Sequence, residues 1–190
     1  MKEKNKREEF FIELKNNWNI LGLPLNAGIE SAYKKDFYSP DALSVKLPVT
    51  AALALYQHHK IPDPYYADNA HSLDWIEKKE WWYYTDIEYS LPNEYFCSLI
   101  VKGIAYRAEI WINGIQLGRM EGMFNSEEFN IPDAYLKSGK NRLTFRLRAQ
   151  ELAWEDQPLR GISRGAVRSQ GVVSQFSYYW NWAPHLVPVG

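Results

Sequence analysis

The chain has 190 residues, enough for one domain with a substantial core. A formal charge of -1 gives no overall field drawing it to nucleic acid or an anionic membrane, and no run approaches the roughly 18 apolar residues that span a bilayer. A single cysteine, Cys97, excludes an intramolecular disulfide and a cysteine zinc site.

The N-terminus, Met1 to Glu9, is charged and has no apolar stretch of the kind that opens a secretory leader, so none is expected. Residues 1–13 are expected to form a short charged arm or helix anchored by Phe10, Phe11 and Leu14. Trp18 to Leu25 reads as a first strand, and residues 26–45 lack a clear period and read as irregular. Helix formers from Thr50 to His59, after Pro48, predict a short helix. The prolines of Ile61-Pro62-Asp63-Pro64-Tyr65-Tyr66 require extended or turned backbone.

From Trp81 onward the sequence predicts strand after strand: 82–90, 95–102, 106–112, 115–120 and 142–148. In the third of these, Tyr106, Ala108, Ile110 and Ile112 share one face, and Arg107, Glu109 and Trp111 share the other. Asn113-Gly114 follows at once, a hairpin signal because both turn positions need positive φ. Between Arg142 and Arg148, Leu143, Phe145 and Leu147 are expected to point inward. Short strands with regular turn punctuation and no long helices indicate an all-β sandwich or barrel. Residues 151–174, with Gly161, Gly165 and Gly171, read as a long loop in which Arg160, Arg164 and Arg168 anchor by ion pairing.

The composition is rich in rings, with eight Trp, thirteen Tyr and eight Phe, which suits either the half-buried face of a sheet or a sugar-stacking surface. Five of the rings fall between Gln175 and Leu186, among a proline and several hydrogen-bonding side chains. Other chemistries find less support. His58, His59, His71 and Asp68 lack metal-ligand spacing, so no metal is expected. No phosphate loop or nucleophile elbow is present, and no cofactor is expected. Glu109, Glu121, Glu127 and Glu128 could in principle supply the paired carboxyls, about 5–5.5 Å apart, that retaining glycosidases use. Nothing in the sequence singles out a pair, and all four read as solvated surface acids, Glu109 on an outward strand face.

At Gly103 to Gly118, followed by Glu121-Gly122-Met123-Phe124 and Phe129-Asn130-Ile131, the chain resembles the N-terminal jelly-roll of glycoside hydrolase family 2. That pattern has a strand ending in W-x-N-G, a return strand with L-G, and an H/E-G-x-F turn. Ser138 to Phe145 is similar to the next strand of the pattern. Leu47-Pro48-Val49-Thr50, Ile61 to Asn69 and Trp180 to Leu186 resemble segments of its β-mannosidase-like branch. The resemblance spans Leu14 to Gly190.

It implies a galactose-binding-domain-like jelly-roll sandwich over residues 1–190, with a short helix near 50–59, a long loop over 151–186, and a closing strand beyond Gly190. It further implies that the catalytic glutamates belong to a TIM barrel following this domain and an immunoglobulin-like one. The chain itself is then non-catalytic, and a carbohydrate is the substrate of a parent retaining exo-glycosidase of β-mannosidase or β-galactosidase type. The expected substrate-binding residues are Trp180, Asn181, Trp182 and His185. Asn181 stands where the branch has the aspartate of W-D-W, expected to hold a glycone hydroxyl. His185 replaces an arginine, and Tyr179 and Ala183 replace glycines, so the preference for mannose is not carried over. Two other readings stay open: an autonomous carbohydrate-binding module, or a protein–protein interaction domain. Neither nucleic acid nor a membrane is an expected partner.

Overall fold

The computed structural model describes residues 10–32, 38–89, 96–149 and 186–190. Among the described residues, eight strands and two short α-helices follow one another as β1 (Trp18–Leu23), α1 (Ile29–Ala32), β2 (Leu43–Val45), α2 (Ala51–Gln57), β3 (Glu80–Tyr89), β4 (Cys97–Val101), β5 (Arg107–Ile112), β6 (Ile115–Glu121), β7 (Glu127–Ile131) and β8 (Gly139–Arg148). Six strands form one sheet in the order β2-β1-β3-β8-β5-β6, and β4 pairs with β7 in a second sheet. Every one of these pairings is antiparallel. The expected all-β sandwich is the architecture observed.

Strand alternation explains the core. On the inner face of the large sheet, β3 places Trp81 and Tyr83, β5 places Ala108, Ile110 and Ile112, and β8 places Leu143, Phe145 and Leu147, all buried in one cluster. The small sheet lays Val101, Phe129 and Ile131 on this face. Where they meet, a Cβ on Gly118 of β6 would come within 2.4 Å of the Phe129 ring, so only glycine lets the two sheets close there. The polar tips of the core aromatics are bonded: Trp18 Nε1 donates to Leu14 O, and Trp81 Nε1 to Ile76 O.

Asn113 and Gly114 adopt φ of 51° and 81°, as a two-residue hairpin between β5 and β6 requires. Asn113 also has a second task. Its amide donates to Tyr135 O and to Asn141 Oδ1, while its Oδ1 accepts from Arg142 N. Asn141 in turn bonds Lys137 and Gly139, so two buried asparagines with satisfied polar atoms pin the hairpin to the turn before β8. Thr50 caps α2 by accepting from Leu53 N at 3.3 Å.

Three expectations need correction. The stretch 26–45 is not wholly irregular, because it contains α1 and β2, and β7 was not anticipated as a strand. These elements span four, three and five residues, too short to show a period. Leu14 packs on the core, whereas Phe10 and Phe11 are exposed and are not among the core residues. The arm reading for residues 1–9 and the loop reading for 151–174, with Arg160, Arg164 and Arg168, lie outside the described residues.

Candidate functional site

Trp180, Asn181, Trp182 and His185 lie outside the described residues, so their placement is not part of this structure. What is described is where that segment ends. Val187 and Val189 are buried in the core cluster. Val189 O accepts from Ala51 N at 2.7 Å, and Gly190 exchanges two backbone hydrogen bonds with Ala105, of 2.7 and 2.9 Å. The Tyr83 hydroxyl, whose pKa burial pushes far above its ordinary value, lies 3.1 Å from Val49 O and 3.2 Å from Val189 O as their donor. The chain that follows the aromatic segment is therefore stitched between the start of α2 and the approach to β5.

Leu186, the last residue of the aromatic segment, is half-buried and lines a void of about 10 Å³ with Val187, Leu73, Asp74, Ile76 and Glu77. This volume is close to the minimum that one water needs. Asp74 Oδ1 is buried and has no hydrogen-bond partner among the described residues. Glu77 is also buried.

Three of the four acids considered for glycoside chemistry, Glu109, Glu121 and Glu128, are engaged by other side chains. A groove of about 350 Å³ on the edge of the large sheet is lined by Arg107, Glu109, Arg119, Met120, Glu121 and Glu127. Arg107 holds Glu121 through Nε and Nη2 at 3.0 and 2.9 Å. Glu128 accepts from Ser98 Oγ at 2.7 Å on the small sheet. Glu109 contradicts its reading as a solvated acid: its side chain is only 14% exposed and pairs with both Arg146 and Arg119. An outward-facing strand position is not the same as a solvated one when something covers the sheet.

That cover is the feature the sequence reading missed. Glu80, Trp82, Trp111, Thr144 and Arg146 are all buried on the outer face of the large sheet. Trp82 and Trp111 stack at 5.6 Å and 23°, and the Arg146 guanidinium sits 5.9 Å from each ring. Glu80 accepts from Arg148 and lies 3.3 Å from Arg146 Nη1. Burial lowers the Arg146 pKa, while Glu109 and Glu80 oppose the shift and Arg148 adds to it. Loop residues cover part of this face: a Cβ on Gly28 would fall 2.5 Å from the Trp82 ring, and Arg148 Nη2 bonds Asn26 Oδ1. The signal available in the sequence was that Glu80 and Trp82, Glu109 and Trp111, and Arg146 and Arg148 each stand two residues apart, so each pair shares a strand face.

Among the described residues, no group of three His, Cys, Asp or Glu is placed to hold a metal ion. His58 Nε2 instead lies 2.7 Å from Ser44 O. No helix of the described residues is long and apolar enough to cross a membrane.

The family model described as glycosyl hydrolase 2 galactose-binding domain-like matches residues 29–190. The β-mannosidase of Mus musculus is 33% identical over 113 residues, 56% of this chain and 13% of the mouse protein. The mannosylglycoprotein endo-β-mannosidase of Lilium longiflorum is 26% identical over 141 residues, 72% of this chain and 15% of the lily protein. Among solved structures, the β-D-mannosidase of Dictyoglomus thermophilum superposes with a TM-score of 0.76 at 25% identity, over 94% of this chain and 21% of that one. The chain thus spans only 13% and 15% of the two curated relatives it matches here.

Proposed function

This chain belongs to the glycosyl hydrolase 2 galactose-binding domain-like family, in its β-mannosidase-like branch, and we propose that it serves as the non-catalytic β-sandwich of a longer glycoside hydrolase, lending one segment to a sugar pocket. The observation that carries this reading is the buried return of the chain at Val187–Gly190. A segment whose far end is stitched into a rigid sandwich can hold rings and amides still against a neighbour, which reduces the entropy lost on binding. Pockets commonly form where domains meet, so the segment supplies half of the site.

In this proposal Asn181 bonds a glycone hydroxyl, using one acceptor and two donors in place of a carboxylate. Trp180 and Trp182 flank the sugar ring, and His185 stands on the pocket side. The parent enzyme hydrolyses O-glycosyl bonds with carboxylates outside these 190 residues, and immunoglobulin-like and barrel domains are its partners. In a longer polypeptide, chain continuing from the antiparallel Gly190–Ala105 pair in the same register would run along the edge of β4 that the described residues leave unpaired and extend the small sheet.

Two measurements test this. The 190-residue chain is expected to release no phenol from aryl β-mannosides or β-galactosides, and robust turnover refutes the reading. In the native polypeptide, Asn181→Ala is expected to lower kcat/KM by about ten- to a hundredfold, the loss of one or two substrate hydrogen bonds. An unchanged kcat/KM removes Asn181 from the site.

A further inference from the structure

We propose that the void between the turn at residues 73–77 and the returning chain at Leu186–Val187 is a binding site for a single water molecule, which latches the two segments together. The wall on one side is stiff. Leu73 ends a 3-10 helix, Asn69–Leu73, its carbonyl accepts from Ile76 N at 2.9 Å, and Ile76 O accepts from Trp81 Nε1 at 2.8 Å. Asp74 stands in this wall with Oδ1 shut off from solvent and with no hydrogen-bond partner among the described residues. Such an oxygen is costly to leave unpaired, and because a carboxylate only accepts, whatever fills the void must donate to it. Across the void, Val187 is 6% exposed, and its N–H has no acceptor among the described residues. The occupant must therefore accept as well as donate.

Size and lining select the occupant. A void of about 10 Å³ admits one water and is too small for a sugar or a phosphate. A calcium or magnesium ion needs about six oxygen ligands, whereas Leu73, Ile76, Leu186 and Val187 make most of this lining. The water donates to Asp74 Oδ1 and to the buried carboxylate of Glu77, which lines the same void, and it accepts from Val187 N–H. Three partners are typical of a buried water. Among the described residues, the direct backbone bonds of the returning chain begin only at Val189, with Ala51, and at Gly190, with Ala105. The water moves the first polar anchor of that chain back to residue 187. The site is built from residues 73–77 and 186–187 alone, so it stands independently of the sugar-pocket reading.

A high-resolution crystal structure of the native polypeptide, paired with amide hydrogen exchange, tests this site. The expected density is one ordered water about 2.5–3.0 Å from Asp74 Oδ1 and within hydrogen-bond reach of Val187 N. A void without density, a metal ion in it, or a protein donor bonded directly to Asp74 Oδ1 overturns the proposal. Two variants separate the latch from simple packing. Asp74→Leu keeps the branched shape but sets methyl groups where the oxygens stand, so the water is expelled and the Val187 amide is expected to exchange about tenfold faster. Asp74→Asn keeps an acceptor oxygen, and its exchange rate is expected to stay within about threefold of wild type. An unchanged rate in Asp74→Leu, or equal acceleration in both variants, overturns the latch.

Discussion

The two faces of the large sheet are both buried, but by opposite chemistry. The inner face is Ile110, Ile112, Leu143, Phe145 and Leu147, where any close-packed apolar side chain of suitable volume satisfies the site. The outer face around Trp82 and Trp111 contains Glu80, Arg146 and Glu109, with Glu80 at 0% side-chain exposure and Arg146 at 7%. Its stability therefore depends on pairing. Removing charges from water costs several kcal/mol per ion, roughly offset only when the partners are in place. That balance is incomplete here, because Arg146 Nε, Trp111 Nε1 and Glu80 Oε2 are buried with no hydrogen-bond partner among the described residues. The inner face should thus be tolerant of shape-preserving change, and the outer face intolerant of losing a single partner.

The sharpest way to break this contrast is Glu80→Ala, which leaves Arg146 and Arg148 side by side without their shared carboxylate. A loss of about 3–5 kcal/mol is expected in urea unfolding, and a loss under about 1 kcal/mol would show the outer face to be effectively solvated. On the inner face, Ile110→Ala is expected to cost about 3 kcal/mol through lost burial and a residual cavity. Gly118→Ala follows at about 2 kcal/mol, because the added methyl meets the Phe129 ring; a neutral result would mean that ring swings away freely. Leu143→Met, which conserves volume, should stay below about 1.5 kcal/mol.

The smallest effect belongs to the rim of the outer face and depends on pH. Burial alone would raise the Asp86 pKa, but hydrogen bonds and charge from Arg142 and Lys140 outweigh it and hold the carboxyl below its usual value. A depressed folded pKa contributes stability that is present above the unfolded value near about 4 and is lost as pH falls through the folded value. Wild type should therefore exceed Asp86→Asn by up to about 1 kcal/mol at neutral pH, with the gap closing in acid. A gap that persists to low pH would assign the effect to shape rather than charge.

Much of the fold was legible because it depends on neighbours in sequence. The alternation of β5, the Asn113-Gly114 turn and the short helix after Pro48 each follow from local geometry, and each stands where expected. Register matched as well, with Leu143, Phe145 and Leu147 all inside. β2 and β7 escaped because three and five residues carry too little pattern, and only their partners β1 and β4 hold them as strands. Asn113 was read as a turn residue alone. Its bond to Asn141, 28 residues on, could not be read from either position by itself.

The candidate site divides in the same way. Family motifs marked the segment 175–186, while the tertiary structure supplied its tether at Val187–Gly190 and the adjoining wall of Leu73 to Glu77. The sequence by itself determined which side chains share a face, because strand pleat and turn dihedrals are set by adjacent residues. Only the tertiary structure decided which faces are dry. Burial depends on which distant residues fold over or pair across a strand, and Glu109, outward and charged, is left only 14% exposed by its pairing with Arg146 and Arg119.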